Sequence, residues 1–238
     1  MKTILITGAS GDIGKEIAKT LAKKTNNLIL VYNKNKPNIS ELKKHCSVDI
    51  FQCDLTNTDE IKMMIEKVIK KHKKIDVLIN CAGKSKFQQI QDTTEKDFYE
   101  IIDNNLKSTI MLTSAVSKHM ISEQNGKIIN ISSMWGKVGA SMESLYSASK
   151  GAINTFTLAL AKELGPSNIT VNAICPGLID TKMNNNLSKE TIQEIVDNTP
   201  VGRIWKPKDV ATLTEFLISE KANFITGQII SVDGGFSL

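Results

Sequence analysis

Arginine is nearly missing from this sequence: Arg203 is the only one, beside 29 lysines. Any anion the chain recognises must be met by ammonium groups, helix N-termini or backbone N–H groups, without the bidentate guanidinium fork. Cysteines are few, and Cys46, Cys53, Cys81 and Cys175 form no CxxC pair. That excludes a disulfide framework and a cysteine-ligated zinc site, and it suits free, mostly buried thiols in a reducing, cytoplasmic compartment. His45, His72 and His119 show no HExxH or other ligand spacing, so no metal is expected. No apolar run approaches the ~18 residues of a membrane span. The apolar start before Gly8 is too short for a secretory signal. Aromatics make up only 5% and do not alternate with cations, which argues against a nucleic-acid site.

What is present is ordinary in bulk and uneven in detail. The 238 residues are 41% hydrophobic and 23% charged, values of a soluble globular protein. The net charge of +5 is split: residues 1–74 hold 15 basic and 8 acidic side chains, residues 75–238 hold 15 and 17. Short apolar runs alternate with amphipathic stretches. Strands are expected at Thr3–Thr7, Leu28–Tyr32, Val48–Cys53, Ile75–Asn80, Lys127–Ser132, Ile169–Ile174 and Gln228–Val232. Helices are expected near 12–24, 57–72, 94–121, 145–164, 188–197 and 207–219. Near-continuous apolar strands between helices predict an α/β fold with a parallel sheet covered on both faces. Right-handed crossovers then make it doubly wound, with ligands at the carboxyl ends of the strands. No linker divides the chain, so residues 1–238 read as one domain. The polar, Asn-rich loop from Pro176 to Leu187 is a candidate lid.

Thr7-Gly8-Ala9-Ser10-Gly11-Asp12-Ile13-Gly14 follows the first strand and opens the first helix. In that context the glycines let the backbone approach a pyrophosphate, and the helix start offers N–H groups and a positive dipole end. The second strand ends in Val31-Tyr32-Asn33-Lys34, without the acid that would hold the ribose hydroxyls of NAD. With Lys34 and Lys36 nearby, NADP(H) is favoured over NAD(H). Lys43, Lys44, Lys70, Lys71, Lys73 and Lys74 read as solvated helix ends.

Tyr146-Ser147-Ala148-Ser149-Lys150 puts a phenol and an ammonium on one helix face. A neighbouring cation favours the phenolate, so such a tyrosine could exchange a proton with a carbonyl or alcohol. Asn130-Ile131-Ser132-Ser133 ends a predicted strand, where a serine hydroxyl can polarise a carbonyl.

Taken in order, these segments resemble a short-chain dehydrogenase/reductase over essentially the whole chain. Asp54 in Cys53-Asp54-Leu55, Asn80-Cys81-Ala82-Gly83, Asn105 in Asn104-Asn105-Leu106-Lys107, and Pro176-Gly177 with Thr181 add to the likeness. The resemblance implies a Rossmann-type sheet of about seven strands. It implies Tyr146 as general acid/base, Lys150 lowering its pKa and holding the nicotinamide ribose, Ser133 orienting the carbonyl, and Asn105 holding a relay water. The cofactor would border Gly8, Ser10, Gly11, Asp12, Ile13 and Gly14, then Asn33, Lys34, Asp54 and Leu55. It would continue along Asn80, Ala82 and Gly83 to Tyr146, Lys150, Pro176, Gly177, Ile179 and Thr181. Two positions depart from the family pattern. The usual TGxxxGxG reads TGxxGxxG, with Asp12 in place of the middle glycine. Cys81 replaces the second Asn of NNAG and is expected to be structural, since no cation flanks it closely.

The broad resemblance is to 3-oxoacyl-(acyl-carrier-protein) reductases, which implies NADPH-driven reduction of a β-ketoacyl thioester. The positions expected to dock an acidic carrier read Gln124 and Ser167, both uncharged. The stretch from Ser133 to Ser141 resembles reductases that act on the 5-aminopentanone modification of a lysine on elongation factor P. There Met134 and Trp135 could shape an aliphatic slot, and Glu143 could meet a substrate ammonium. The substrate is thus a small, carrier-bound or protein-bound ketone. A non-catalytic NADP-binding regulator is the third alternative, opposed by the intact Asn105, Ser133, Tyr146 and Lys150. In relatives, the helices near 94–121 and 145–164 pair between subunits. That implies a homodimer or homotetramer, with Ala148, Ala152, Phe156, Ala159 and Leu160 along one side.

Overall fold

Seven strands, all paired parallel, form one sheet in the computed structural model, which describes residues 1–177 and 189–238. They are β1 (Lys2–Thr7), β2 (Asn26–Tyr32), β3 (Ser47–Gln52), β4 (Val77–Asn80), β5 (Gly126–Ile131), β6 (Ile169–Pro176) and β7 (Ile229–Val232). Their order is β3-β2-β1-β4-β5-β6-β7, so the chain reverses its direction of winding between β1 and β4. That reversal opens a crevice at the carboxyl ends of the two central strands.

The alternation along each strand explains why both faces are covered. Ile4, Ile6, Leu28, Leu30, Val77 and Ile79 join one core with α1 (Asp12–Leu21) and α8 (Pro207–Leu217). Leu5, Ile29, Val31, Leu78 and Ile128 face the opposite core. There they meet α2 (Thr58–His72), α4 (Ser108–Ser122) and α6 (Ser144–Leu164). Adjacent side chains on a strand point to opposite faces, so a strand buried twice must be apolar throughout.

Helix starts follow from local chemistry. Asn57 caps α2 by accepting the Asp59 and Glu60 N–H groups. Thr94 and Asp97 form a capping box at α3 (Glu95–Ile102). The start of α1 differs: Gly11 is its N-cap and no side chain bonds there. Orphan N–H groups and the positive end of the helix dipole therefore stay open to a ligand.

The expected elements are present, with two refinements. The helical run expected at 94–121 is broken by a π turn at Asp103–Lys107, which carries Asn105. A short helix, α5 (Trp135–Val138), stands between β5 and α6, and α7 (Lys189–Asp197) precedes α8. The segment expected to form a lid lies outside the described residues beyond Gly177.

Leu78 is fully enclosed between the central strands and the helices. Leu78→Ala should cost about 2–5 kcal/mol in urea unfolding, while an exposed change such as Met63→Ala should cost less than about 0.5 kcal/mol.

Candidate active site

A cleft of about 590 Å³ runs across the carboxyl ends of the strands, from Lys34 at one end to Trp135 and Glu143 at the other. Its middle is held by Thr7, whose hydroxyl accepts the N–H groups of Cys81 (2.9 Å) and Ala82 (3.0 Å). The ends of β1 and β4 are thereby tied together beneath the glycine turn. Two glycines in that turn are obligatory. Gly8 has φ 65°, and a Cβ there would stand 2.9 Å from the Ala82 backbone. A Cβ on Gly14 would meet the Gly8 carbonyl at 2.4 Å. Gly11 is different: its φ is −79°, and an added Cβ would reach the Gly8 carbonyl at an ordinary 3.4 Å. The altered glycine spacing therefore leaves both sterically required glycines in place. Asp12 is the first helical residue, not the cap.

The uncapped helix start, the tight glycine backbone and the long cleft fit a dinucleotide. Ser10, Gly11, Asp12, Ile13 and Gly14 line its pyrophosphate side. Asn33, Lys34, Asp54, Leu55, Ala82 and Gly83 line the cleft between the end of β2 and the loop after β4. The Asp54 carboxyl is held below the usual range, chiefly by the Thr56 N–H and also by the Thr56 hydroxyl and the Asn33 side chain. Lys36 is exposed but does not line the cleft, so of the two lysines after β2 only Lys34 stands at its wall.

At the other end Ser133, Trp135, Glu143, Tyr146, Pro176 and Gly177 converge. The Ser133 hydroxyl accepts the Trp135 N–H at 3.2 Å, and Ser133 lines the cleft beside Tyr146. Lys150 lies beneath, 5% exposed, with its ammonium donating to the Ile131 carbonyl at 2.9 Å. It stands 5.7 Å from the centre of the Tyr146 ring. Gly83 and Gly136 make room for this lysine: a Cβ on Gly83 would stand 3.3 Å from its Nζ, and one on Gly136 2.9 Å from its Cβ.

The electrostatics correct one expectation. Burial pushes the Tyr146 phenol above its ordinary value, and the Ser133 hydroxyl only partly opposes this. Burial pulls Lys150 down to about 8. In the protein by itself, desolvation outweighs any help the ammonium gives the phenolate, and the phenol keeps its proton. Cys81 borders the cleft, and burial pushes its thiol up to about 12 although Lys150 acts against this. A cation does approach it, through the fold rather than the sequence, yet the thiol stays neutral.

Asn80, Asn105 and Met134, like Lys150, do not line the cleft. Asn80 is buried below the cleft, where its amide donates to Thr113 Oγ1 (3.0 Å) and Asn130 Oδ1 (2.9 Å). Asn105, fully buried, donates to the Lys84 carbonyl (2.9 Å) and Ser149 Oγ (3.0 Å) and accepts the Lys84 N–H (2.7 Å). Its side chain braces the π turn against α6 and does not line the cleft. Met134, 1% exposed, packs inward and shapes no slot. Ile179 and Thr181 lie outside the described residues. Of the expected subunit stripe, Leu160 belongs to the chain's own core and Phe156 packs against it, while Ala148 and Ala159 are exposed. Lys84 and Ser85 line the cleft unannounced. Their only sequence signal is that they follow the Cys81-Ala82-Gly83 turn.

Known proteins share this architecture. A family model described as enoyl-(acyl carrier protein) reductase matches residues 8–237. The chain is 42% identical to the uncharacterized oxidoreductase YmfI of Bacillus subtilis, over 99% of this chain and 98% of that one. It is 36% identical to the 3-oxoacyl-(acyl-carrier-protein) reductase FabG of Thermotoga maritima, over 98% and 97% of the two chains. A solved short-chain type dehydrogenase/reductase from Mycobacterium ulcerans superposes with a TM-score of 0.94 at 28% identity, covering 99% of this chain and 90% of that one.

Gly14→Ala should destabilise the protein by more than about 1 kcal/mol, while Gly11→Ala should stay within about 1 kcal/mol; denaturant unfolding compares them. Lys150 titrates at about 8 folded against 10.5 for a free lysine. The unfolded chain therefore binds more protons between these values, and stability rises with pH across that window. Lys150→Met should be at least as stable as the parent at pH 7, with its advantage shrinking as pH rises from about 8 to 10.5 in thermal melts.

Proposed function

The chain belongs to the short-chain dehydrogenase/reductase family of NAD(P)H-dependent oxidoreductases, and on that premise we propose that it reduces a ketone with NADPH, using Tyr146 as the proton donor. The observation that carries this is the convergence of Ser133 and Tyr146 at one end of a dinucleotide-shaped cleft, with the buried Lys150 ammonium 5.7 Å from the Tyr146 ring. Burial keeps the phenol protonated, which is the state a reductive proton donor needs. Bound NADPH would supply the hydride to the carbonyl carbon. Ser133 would hold the carbonyl oxygen, and Tyr146 would protonate it as negative charge develops. The remaining phenolate would be stabilised by Lys150, whose positive charge is held near the ring by the Ile131 carbonyl.

NADPH is preferred over NADH because β2 ends without an acid and Lys34 stands at the cleft wall. Asn105 would act by position: it ties the π turn to Ser149, whose hydroxyl donates to the Tyr146 carbonyl at 2.7 Å. For the substrate, relatives named 3-oxoacyl-(acyl-carrier-protein) reductase favour a β-ketoacyl thioester. The second reading is the 5-aminopentanone group on elongation factor P. It is favoured by Glu143 and Trp135 at the cleft end and by the absence of charge at Gln124 and Ser167. Those two positions adjoin in the fold, where the Asn168 amide donates to the Gln124 carbonyl at 3.2 Å.

NADPH oxidation followed side by side with acetoacetyl thioester and with modified elongation factor P separates the two readings. Tyr146→Phe should lower kcat by about 100- to 10,000-fold while leaving NADPH affinity nearly unchanged. Turnover surviving in that variant would sink the assignment of the proton donor, and a clear preference for NADH would sink the role of Lys34.

A further inference from the structure

Glu143 is the only charged side chain lining the substrate end of the cleft among the described residues, beside Ser133, Trp135 and Tyr146. Its placement is unfavourable for the protein alone. Burial pushes its carboxyl above the usual range, and the neighbouring Trp135 side chain only partly opposes this. A carboxylate offers about four lone-pair sites to whatever enters.

The backbone presenting this acid is constrained. Met142, the residue before it, has φ 66°, a left-handed conformation that L side chains rarely adopt. The Met142 carbonyl accepts the Gln88 N–H at 2.7 Å, which ties this loop to the one after β4. Non-glycine residues held in this region cluster at ligand clamps and active sites. The carboxylate also acts on the reacting group, since its charge adds to the upward push on the Tyr146 phenol.

From this arrangement we propose that Glu143 is a specificity-determining residue that selects a ketone whose far end carries a cationic ammonium group over one ending in a neutral or anionic group. The inference rests on the carbonyl-reductase reading and adds the charge of the substrate to it. An ammonium would pair with the carboxylate in a partly desolvated place and rest against the Trp135 indole. It would also neutralise the charge that opposes ionisation of Tyr146, so the right substrate would ease its own protonation step. A carboxylate or phosphate in the same position would be repelled.

Two methyl ketones of equal shape test this, one ending in a trimethylammonium group and the other in a tert-butyl group. Each is titrated by calorimetry into the protein saturated with NADP+, where no hydride can be transferred. The wild type should bind the cationic ketone about 10-fold more tightly. Glu143→Gln should bring the two affinities together, and Glu143→Asp should keep part of the difference. Equal binding by the wild type, or a preference that survives in Glu143→Gln, overturns the inference. The ratio is taken within each protein, so a general loss of affinity cannot imitate the expected result, and the wild-type ratio decides even if a variant fails to fold. Oxidation of NADPH with the same ketones is read separately. A cation preference in binding with neither ketone reduced would remove the reductase reading and leave the role of Glu143 standing.

Discussion

One side-chain hydroxyl bridges the carboxyl ends of the two central strands, just beyond the backbone ladder that pairs them. Thr7 ends β1, is 1% exposed, and accepts the N–H groups of Cys81 and Ala82 at the end of β4. These are the two strands between which the winding direction reverses, paired through Ile4–Ile6 and Val77–Ile79 and diverging beyond them. With that bridge in place, Gly8 can lie against the Ala82 backbone and Gly14 against the Gly8 carbonyl, at distances that no side chain could share. The start of α1 is thereby aimed along the cleft, and the loop after β4 is set against α6, which carries Tyr146 and Lys150.

The same close packing produces the chemistry. Tyr146 and Lys150 are removed from water together, which raises one pKa and lowers the other. The pair is thus least comfortable in its charged forms when the protein stands alone. On the proposed reading, a charge appearing on the substrate oxygen, or on the phenol after it gives up its proton, would find an ammonium already oriented and poorly screened. Glu143 belongs to the same economy of burial: a lone acid near the phenol is unfavourable until a partner of opposite sign arrives.

Residue pattern made most of the site legible. Gly8, Ser10–Gly14, Ser133 and Tyr146 carry chemistry in their identity and spacing, and the structure brings them to one cleft, with Lys150 beneath it. Expectations failed where role depended on which way a side chain turns. Asn80 and Asn105 look like ligand contacts in sequence, but both amides turn into the protein: Asn105 bonds to Lys84 and Ser149 through both of its polar atoms, while Asn80 donates twice and its Oδ1 has no partner among the described residues. Met134 and Trp135 are adjacent, yet one packs inward and the other lines the cleft. Lys34 and Lys36 differ in the same way.

By itself the sequence determined the class of fold, because apolar runs of strand length between amphipathic helices have one economical packing, a parallel sheet covered on both sides. It also pointed to the reaction class, through the ordered matches from Thr7–Gly14 to Ser133, Tyr146 and Lys150 that resemble a short-chain dehydrogenase/reductase. Tertiary structure decided the rest. Burial set the protonation of Tyr146 and Lys150, because desolvation depends on neighbours drawn from distant segments. The π turn aimed Asn105 at Ser149 and away from the cleft. A strained Met142, pinned by Gln88 from the loop after β4, put the Glu143 carboxylate at the substrate end, a placement no local pattern encodes.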